Sequence, residues 1–198
     1  MAAAIVIGLS TSASAQDSSR TVINVLVYDF AAVPGDPLRG ARDKVTRIYR
    51  DAGVDIVWID PRSEGAATPI QTLSNPAGPF TVRLMIRPKR HWGHTSNSDS
   101  VMGDALPADT CAGSVSLFYE QVLKVTGVYR QPIADILALA MAHEIGHVLL
   151  PPPGHSTSGI MRATWDGDDI RRAVLGRLTF TSAESSLIRM KLAGCRSD

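Results

Sequence analysis

Residues 133–150 constrain the fold of this chain more than any other part of the sequence. Apolar residues recur here at the three- and four-residue spacing of an α-helix, namely at Ile133, Ile136, Leu137, Ala140 and Ile145. Pro132 stands at the start, where a proline suits the first helical turn. Because Pro151 disfavours helical geometry at the residue before it, the helix is expected to end near Leu150. The pattern predicts a long helix that its neighbours largely bury.

Three polar side chains, His143, Glu144 and His147, lie within this apolar helix. An α-helix has about 3.6 residues per turn, so histidines four positions apart project from one face and can bind a single metal ion. Glu144 follows the first histidine directly, within reach of a water molecule that the metal activates. The His-Glu-x-x-His spacing therefore predicts a zinc site with Glu144 as general base. Two incidental histidines on an amphipathic helix are the alternative interpretation.

A third ligand is expected beyond the helix, because a catalytic zinc usually has three protein ligands and one open position. His155 is the natural candidate, since only three prolines and Gly154 separate it from the helix end. The prolines end the helix, and glycine can take the positive φ that a sharp reversal of the chain requires. Four acidic residues are the fallback ligands: Asp166, Asp168, Asp169 and Glu184.

Composition and charge narrow the class of protein. The 198 residues include 44% hydrophobic side chains, which is enough for one sizeable core. The chain has 20 basic and 19 acidic residues, and the basic ones are dispersed, so a nucleic-acid partner is not expected. No segment reaches about 18 consecutive apolar residues, so no membrane-spanning helix is predicted.

The first fifteen residues, 1–15, have features of a secretory signal peptide. An apolar stretch over residues 2–9 is followed by an Ala-x-Ala sequence at 13–15, which has the form of a cleavage site. No lysine or arginine precedes Arg20, so the charged region that normally opens such a signal is missing, and a buried N-terminal strand or helix is the alternative. The expected localisation is secreted or periplasmic.

The chain has two cysteines, Cys111 and Cys195. In an oxidising compartment they could form one disulfide between the middle of the chain and its end. Sequence gives no measure of the distance between them, so two buried thiols are the alternative. A zinc site built from thiolates would need more cysteines than this chain has.

The residues before the zinc motif predict a parallel sheet. Residues 21–30 and 54–59 are rich in β-branched and aromatic side chains, which is typical of buried strands. Apolar residues at helical spacing between them predict a helix that ends at Ala52, with Asp36 as N-cap and Pro37 at the first helical position. A strand, a helix and a second strand joined by short links favour a right-handed crossover and parallel pairing.

Three further strands are predicted downstream, at residues 80–87, 100–106 and 113–119. The last two are joined by a turn and would form an edge of the sheet. Residues 60–79 and 88–100 are predicted loops. The second loop holds His91 and His94, for which a second metal site or a lid is the alternative to a solvated loop.

Two shorter helices are predicted after the motif. Residues 166–176 form the first. Thr181 and Glu184 have the spacing of a capping box, which predicts the start of a final amphipathic helix. This helix would place its apolar residues on one face: Leu187, Ile188 and Leu192.

The zinc motif and the residues after it resemble the signature of the metzincin metalloproteases, His-Glu-x-x-His-x-x-Gly-x-x-His followed by a Met-turn. His143, Glu144 and His147 match residue by residue, and residues 158–161, which end at Met161, resemble the Met-turn. The run over 143–165 is similar to a group of uncharacterised secreted bacterial proteins of metzincin type.

The sequence departs from the metzincin signature in two places. Leu150 occupies the glycine position, and His155 comes two residues later than the third ligand of the family. A proline-rich turn over 151–154 lies between the helix and His155. The path of this turn therefore decides whether His155 reaches the metal.

The resemblance implies an α/β (α+β) fold: a twisted, mixed, mostly parallel sheet with an antiparallel edge strand, and two long helices, one with the zinc motif. A small C-terminal subdomain would carry the Met-turn and the final helix. Residues 21–198 would form one catalytic domain, with an N-terminal subdomain to about residue 150 and a C-terminal one over 151–198. The edge strand, here 100–106, would align an extended peptide substrate.

The resemblance also implies roles for the site residues. His143, His147 and His155 would bind Zn²⁺. Glu144 would act as general base on a zinc-activated water in the hydrolysis of peptide bonds. Met161 would lie beneath the metal ligands, and residues 162–165 would line the pocket for the side chain that follows the cleaved bond.

The expected function is a secreted zinc-dependent endopeptidase that acts on peptides or proteins. Two alternatives remain open. The proline-rich turn could close the open coordination position, which would give a catalytically silent zinc-binding or interaction module. A zinc amidase that acts on small or cell-wall substrates would use the same residues.

Overall fold

The computed structural model describes residues 21–61, 79–89, 101–107 and 111–195. These residues form five strands and five helices in the order β1 (Thr21–Asp29), α1 (Gly35–Asp51), β2 (Val54–Ile59), β3 (Phe80–Arg87), β4 (Gly103–Pro107), β5 (Ala112–Phe118), α2 (Tyr119–Tyr129), α3 (Ile133–Leu149), α4 (Gly167–Val174) and α5 (Ser182–Gly194). The predicted signal peptide at 1–15 and the two loop histidines, His91 and His94, lie outside the described residues.

The five strands form one mixed sheet with the order β2-β1-β3-β5-β4. Strand β1 pairs in parallel with β2 and β3, and β3 pairs in parallel with β5. Only β4 runs antiparallel, against β5 at the edge of the sheet. Helix α1 carries the chain back between β1 and β2, which is why these two strands can run in the same direction. The predicted sheet with an antiparallel edge strand is confirmed.

The main core lies between one face of the sheet and the helices α1 and α3. Ile23, Val25 and Val27 of β1 alternate into this core and are at most 2% exposed. Both helices have 17 residues, and α3 is buried on nearly all sides. The two predicted long helices are therefore confirmed, and the zinc motif lies on the more deeply buried one.

Helix α1 holds α3 in place through two polar contacts. The Tyr49 hydroxyl donates a hydrogen bond of 3.0 Å to the carbonyl of Ala142, directly before His143. Lys44 forms an ion pair of 2.6 Å with Asp135 in the first turn of α3. Buried polar groups are costly without partners, so these contacts favour one position of α3 along α1. The turn that carries the motif is thereby fixed against the core.

One prediction about the helices was wrong, and one helix was missed. Helix α1 begins at Gly35 after Pro34, and Asp36 lies in the first turn, where it pairs with Arg39 instead of capping the helix. A proline is tolerated throughout the first turn because its missing N–H has no intrahelical partner there, so Pro37 did not fix the start. Helix α2 was not predicted, since Val122 is its one fully buried residue and its apolar residues form no clear stripe.

The C-terminal helices agree with the sequence prediction. Helix α5 begins with the predicted capping box, in which Thr181 Oγ1 accepts from the Glu184 backbone N–H at 3.2 Å and Glu184 Oε2 accepts from the Thr181 N–H at 2.7 Å. Ile188 and Leu192 are buried, whereas Leu187 is 38% exposed. None of the helices in the described ranges has the length and apolar content that crossing a bilayer requires.

Cys111 and Cys195 form a disulfide between the residue before β5 and the residue after α5. Their Cα atoms are 5.5 Å apart, and 84 positions separate them in sequence. Of the two states that the sequence left open, the structure has the bonded one. The bond ties the final helix to the strand that pairs with the sheet edge.

Replacing both cysteines with serine should lower the free energy of unfolding by about 2–4 kcal/mol, because the long loop in the unfolded chain is no longer constrained. Urea denaturation of the oxidised wild type and of the Cys111→Ser, Cys195→Ser variant measures this difference. Wild type treated with a reductant is the control and should match the variant. Equal denaturation midpoints for all three samples would contradict the prediction.

Candidate metal centre

Three histidine side chains converge at one point on the protein. Nε2 of His147 lies 2.9 Å from Nε2 of His143 and 3.1 Å from Nε2 of His155. Among the described residues, these three form a group with the spacing that binding one metal ion requires. The structure therefore brings the three predicted ligands together.

A hydrogen bond from Nδ1 of His143 determines which of its two ring nitrogens carries the proton. Nδ1 of His143 lies 2.9 Å from the backbone carbonyl oxygen of Ile160. A carbonyl oxygen only accepts hydrogen bonds, so Nδ1 carries the proton and donates it. In the neutral imidazole, Nε2 is then unprotonated and directs its lone pair at the other two histidines. This is the arrangement that a metal-binding histidine needs.

The donor set fits a zinc ion. With Zn–N bonds of about 2.0–2.1 Å and tetrahedral angles, the nitrogen atoms of neighbouring ligands would lie about 3.3 Å apart. The observed separations of 2.9 and 3.1 Å are within a few tenths of an ångström of that value. A site of three imidazoles, with no thiolate or carboxylate ligand, suits zinc and the other metals that imidazole nitrogens bind well. A zinc ion held by these three histidines would have one tetrahedral position left for another ligand.

The proline-rich turn brings His155 back to the end of α3. Gly154 has a φ of 74°, a conformation that side chains with a Cβ rarely adopt. A Cβ at this position would also lie 2.6 Å from Nδ1 of His147. The turn thus needs glycine both for its backbone and for the space beside the His147 ring. Although it is longer than in the metzincin signature, this turn places His155 beside His147.

The segment after His155 is fixed beneath α3. Met161 is fully buried, and a Cβ on Gly146 of α3 would lie only 2.5 Å from the Met161 sulfur atom. The Met161 carbonyl accepts a hydrogen bond of 2.8 Å from the Ser156 N–H, and the Ile160 N–H donates one of 3.1 Å to the Thr179 carbonyl. These contacts hold the carbonyl of Ile160 at the position where it receives His143.

Trp165 adds a second donor to the same carbonyl. Its indole Nε1–H donates to the Ile160 oxygen at 3.1 Å, and its ring meets the His143 ring edge-on at a centroid distance of 5.0 Å. Arg162, between them in sequence, pairs with the fully buried Asp169. Sequence reasoning did not identify the Ile160 carbonyl or this ion pair, because neither belongs to a local pattern.

The four acidic fallback ligands do not join the histidine cluster. Asp166 caps α4, and Asp168 forms an ion pair of 2.9 Å with Arg171. Asp169 binds Arg162 and Arg172, and Glu184 caps α5. Their carboxylates bind helix ends and arginines, so the expectation that one of them could serve as a fallback ligand is not met. His155 is the residue that joins His143 and His147 in the cluster.

Glu144 lies beside the cluster without belonging to it. It is buried, and Gly103 of β4 packs directly against it, since a Cβ on Gly103 would lie 2.7 Å from Glu144 Cγ. Burial raises the pKa of Glu144 to about 8, with a further contribution from the negative charge of Asp104. A cation bound near this carboxylate would favour its charged form. Burial lowers the pKa of His143 and of His147 to about 4, which keeps both rings neutral.

A cleft of about 730 Å³ opens over the histidines and Glu144. Strand β4 forms one rim, and the turn at 152–155 forms another. An apolar wall comes from α2, from α4 and from the chain after Met161: Val125, Tyr129, Ala163, Trp165 and Ile170. The cleft is large enough for several residues of an extended peptide.

The fold is similar to that of the archaemetzincin from Methanopyrus kandleri, with a TM-score of 0.50 and 12% sequence identity over 90% of this chain and 99% of that one. Metalloproteinase-II from Bacteroides fragilis is a weaker match, with a TM-score of 0.40 and 12% identity over 82% of this chain and 54% of that one. No protein-family model and no curated protein matches the sequence. The first likeness is one of fold, and it confirms the predicted metzincin-like architecture.

Proposed function

We propose that this chain is an exported zinc-dependent endopeptidase. One observation carries the proposal: three imidazole Nε2 atoms and the buried carboxylate of Glu144 lie at the base of one open cleft. The direct test is hydrolysis of an unstructured protein by the zinc-loaded chain, compared with the Glu144→Ala variant. In this proposal residues 21–198 form one catalytic domain, and 151–198 contribute the third ligand and the buried methionine.

His143, His147 and His155 hold the zinc ion. When bound, zinc polarises the carbonyl of the substrate and lowers the pKa of water. The Ile160 carbonyl fixes the ring of His143, and Gly154 leaves room for the ring of His147. Met161 fills the space below α3 in the manner of the Met-turn that the sequence resembles.

Glu144 moves the proton. It accepts a proton from the attacking water and delivers it to the nitrogen of the departing amine, so no separate nucleophile is needed. Its burial beneath Gly103 holds the carboxylate at the cleft and limits its contact with bulk water. A purely structural zinc site would need a fourth protein ligand and no base, and the histidine cluster of the described residues has three members.

The substrate binds as an extended chain along β4. The outer edge of β4 pairs with no other strand of the described sheet, so its backbone groups can pair with a peptide. The apolar wall that includes Ala163 and Trp165 then receives the side chain that follows the cleaved bond. A cleft of about 730 Å³ beside a sheet edge favours a peptide over the small substrate of an amidase.

Export to the periplasm or the medium completes the proposal. The disulfide between Cys111 and Cys195 supports it, because such bonds persist in oxidising compartments and are rare in the cytosol. The signal-like sequence at 1–15 is the second support.

Trp165→Phe should weaken zinc binding about tenfold, because losing an outer contact to a metal ligand typically has an effect of this size. The variant keeps an aromatic ring but loses the indole N–H that helps to orient the Ile160 carbonyl and, through it, His143. Competition with a fluorescent zinc chelator measures the affinity. Trp58→Phe is the matched control, because the Trp58 N–H bonds to Thr46 away from the cleft. An unchanged affinity in Trp165→Phe, or an equal loss in the control, would contradict the prediction.

A further inference from the structure

The cleft has an uneven charge distribution that the proposed chemistry does not require. Among its described lining residues are two carboxylates, Asp104 on β4 and Glu144 on α3, and no lysine or arginine. Glu144 serves as the base. Asp104 has no assigned task, although it lies on the strand along which the substrate is proposed to bind.

The register of the sheet defines the surroundings of Asp104. Side chains alternate along a strand, and Gly103 faces Glu144, so the Asp104 side chain leaves β4 on the opposite side, at the rim of the cleft and not at its base. Its neighbour across the ladder is the uncharged Ser116 of β5. The described chain forms no ion pair with Asp104 at salt-bridge distance. Its carboxylate is half-buried at the edge of the sheet.

Among the described residues, the nearest cations on that face are two strands away. Ser116 pairs with Met85 of β3, and Arg83 and Arg87 flank Met85 on the same face. Two strand spacings of about 4.8 Å and an offset of two residues along β3 place their backbone positions about 12 Å from that of Asp104, which exceeds the screening length of about 8 Å in physiological salt. Across the outer edge of β4, the described residues provide no neutralising charge.

We infer that Asp104 selects peptide substrates with a lysine or arginine at the position that pairs with it along β4. The inference rests on the proposed function, because it assumes an extended peptide on this edge. Directly opposite residues in an antiparallel pair have Cβ atoms about 4.5–5.5 Å apart on the same face. A basic side chain there would meet the Asp104 carboxylate, whereas an acidic one would be repelled.

The place of Asp104 along β4 agrees with this assignment. Gly103, the residue directly before it, packs against the proposed base, since a Cβ on Gly103 would lie 2.7 Å from Glu144 Cγ. The selected position is therefore close to the cleaved bond and not at a remote end of the peptide.

The experiment uses neutral peptides in which one arginine is moved through every position, and a matched set with glutamate. With the zinc-loaded wild type, kcat/KM should be about fivefold higher for arginine than for glutamate at one position. Asp104→Asn should remove the difference at that position, and Asp104→Lys should reverse it. Asp36→Asn, which changes an exposed acid on α1, is the matched control and should keep the preference. The preference should shrink as the salt concentration is raised.

Binding of the same labelled peptides to the zinc-loaded Glu144→Ala variant, followed by fluorescence anisotropy, gives a second measure without turnover. Cleavage with no charge preference, or with a preference that survives in Asp104→Asn, would overturn this inference and leave the proposed endopeptidase intact. If the zinc-loaded wild type cleaves none of the peptides and the variant binds none, the proposed function fails and this inference fails with it.

Discussion

Glu144→Ala should lower kcat for peptide hydrolysis by about 1,000-fold while zinc remains bound at one ion per chain. The substitution removes the proposed proton carrier between the attacking water and the departing amine. It leaves the three imidazoles and the Ile160 carbonyl unchanged, so metal binding should persist. Turnover of an unstructured protein in excess zinc measures the first effect, and metal analysis of the same sample measures the second.

Glu120→Ala is the matched control for this experiment. Glu120 lies on α2, is half exposed at its side chain and pairs with Lys124 on the surface. We expect this variant to retain full turnover. Equal hydrolysis by wild type and Glu144→Ala would rule out Glu144 as the base and remove the main support for the proposed mechanism.

His155→Ala should weaken zinc binding by about 100- to 1,000-fold, because the free energy of a structural or catalytic zinc site is divided among a few ligands. The loss should be larger than that of Trp165→Phe, which alters only an outer contact. Competition with a chelator of known affinity measures the change. Zinc retained with undiminished affinity would exclude His155 as a ligand.

Folding and metal binding can be separated in this variant. His155 is exposed, so its replacement should change the free energy of unfolding of the metal-free chain by less than about 0.5 kcal/mol. Thermal melting in the presence of a chelator checks this. His94→Ala is the second control: if its loop is solvated, as the sequence predicts, zinc affinity should not change.

Much of the fold could be predicted from local patterns. The apolar spacing of α3, the β-branched strands and the capping box at Thr181 depend on residues a few positions apart, and the structure confirms them. Helix α2 escaped prediction because Leu123 and Val128 are exposed and only Val122 is fully buried. Its position comes from packing against α3, which no local pattern records.

The candidate site also has a part that local patterns predict and a part that depends on the tertiary structure. The shared direction of His143 and His147 follows from the helical repeat, so two of the three converging nitrogens were predictable from spacing alone. His155 was predicted as the third member from the prolines and the glycine before it, and Gly154 does have the left-handed backbone that the reversal requires, but spacing alone did not define the path of the turn. The resemblance to metzincins supported the same prediction without defining the geometry of the turn.

The sequence by itself determined the motif helix, the adjacency of Glu144 to the first histidine and the succession of strands and helices. Only the tertiary structure decided that Cys111 meets Cys195, that Asp169 binds arginines instead of a metal, and that Ile160 and Trp165 support His143. The physical reason is the range of the forces involved. Backbone geometry fixes relations within a turn or a strand, whereas contacts between distant residues depend on how the whole core packs.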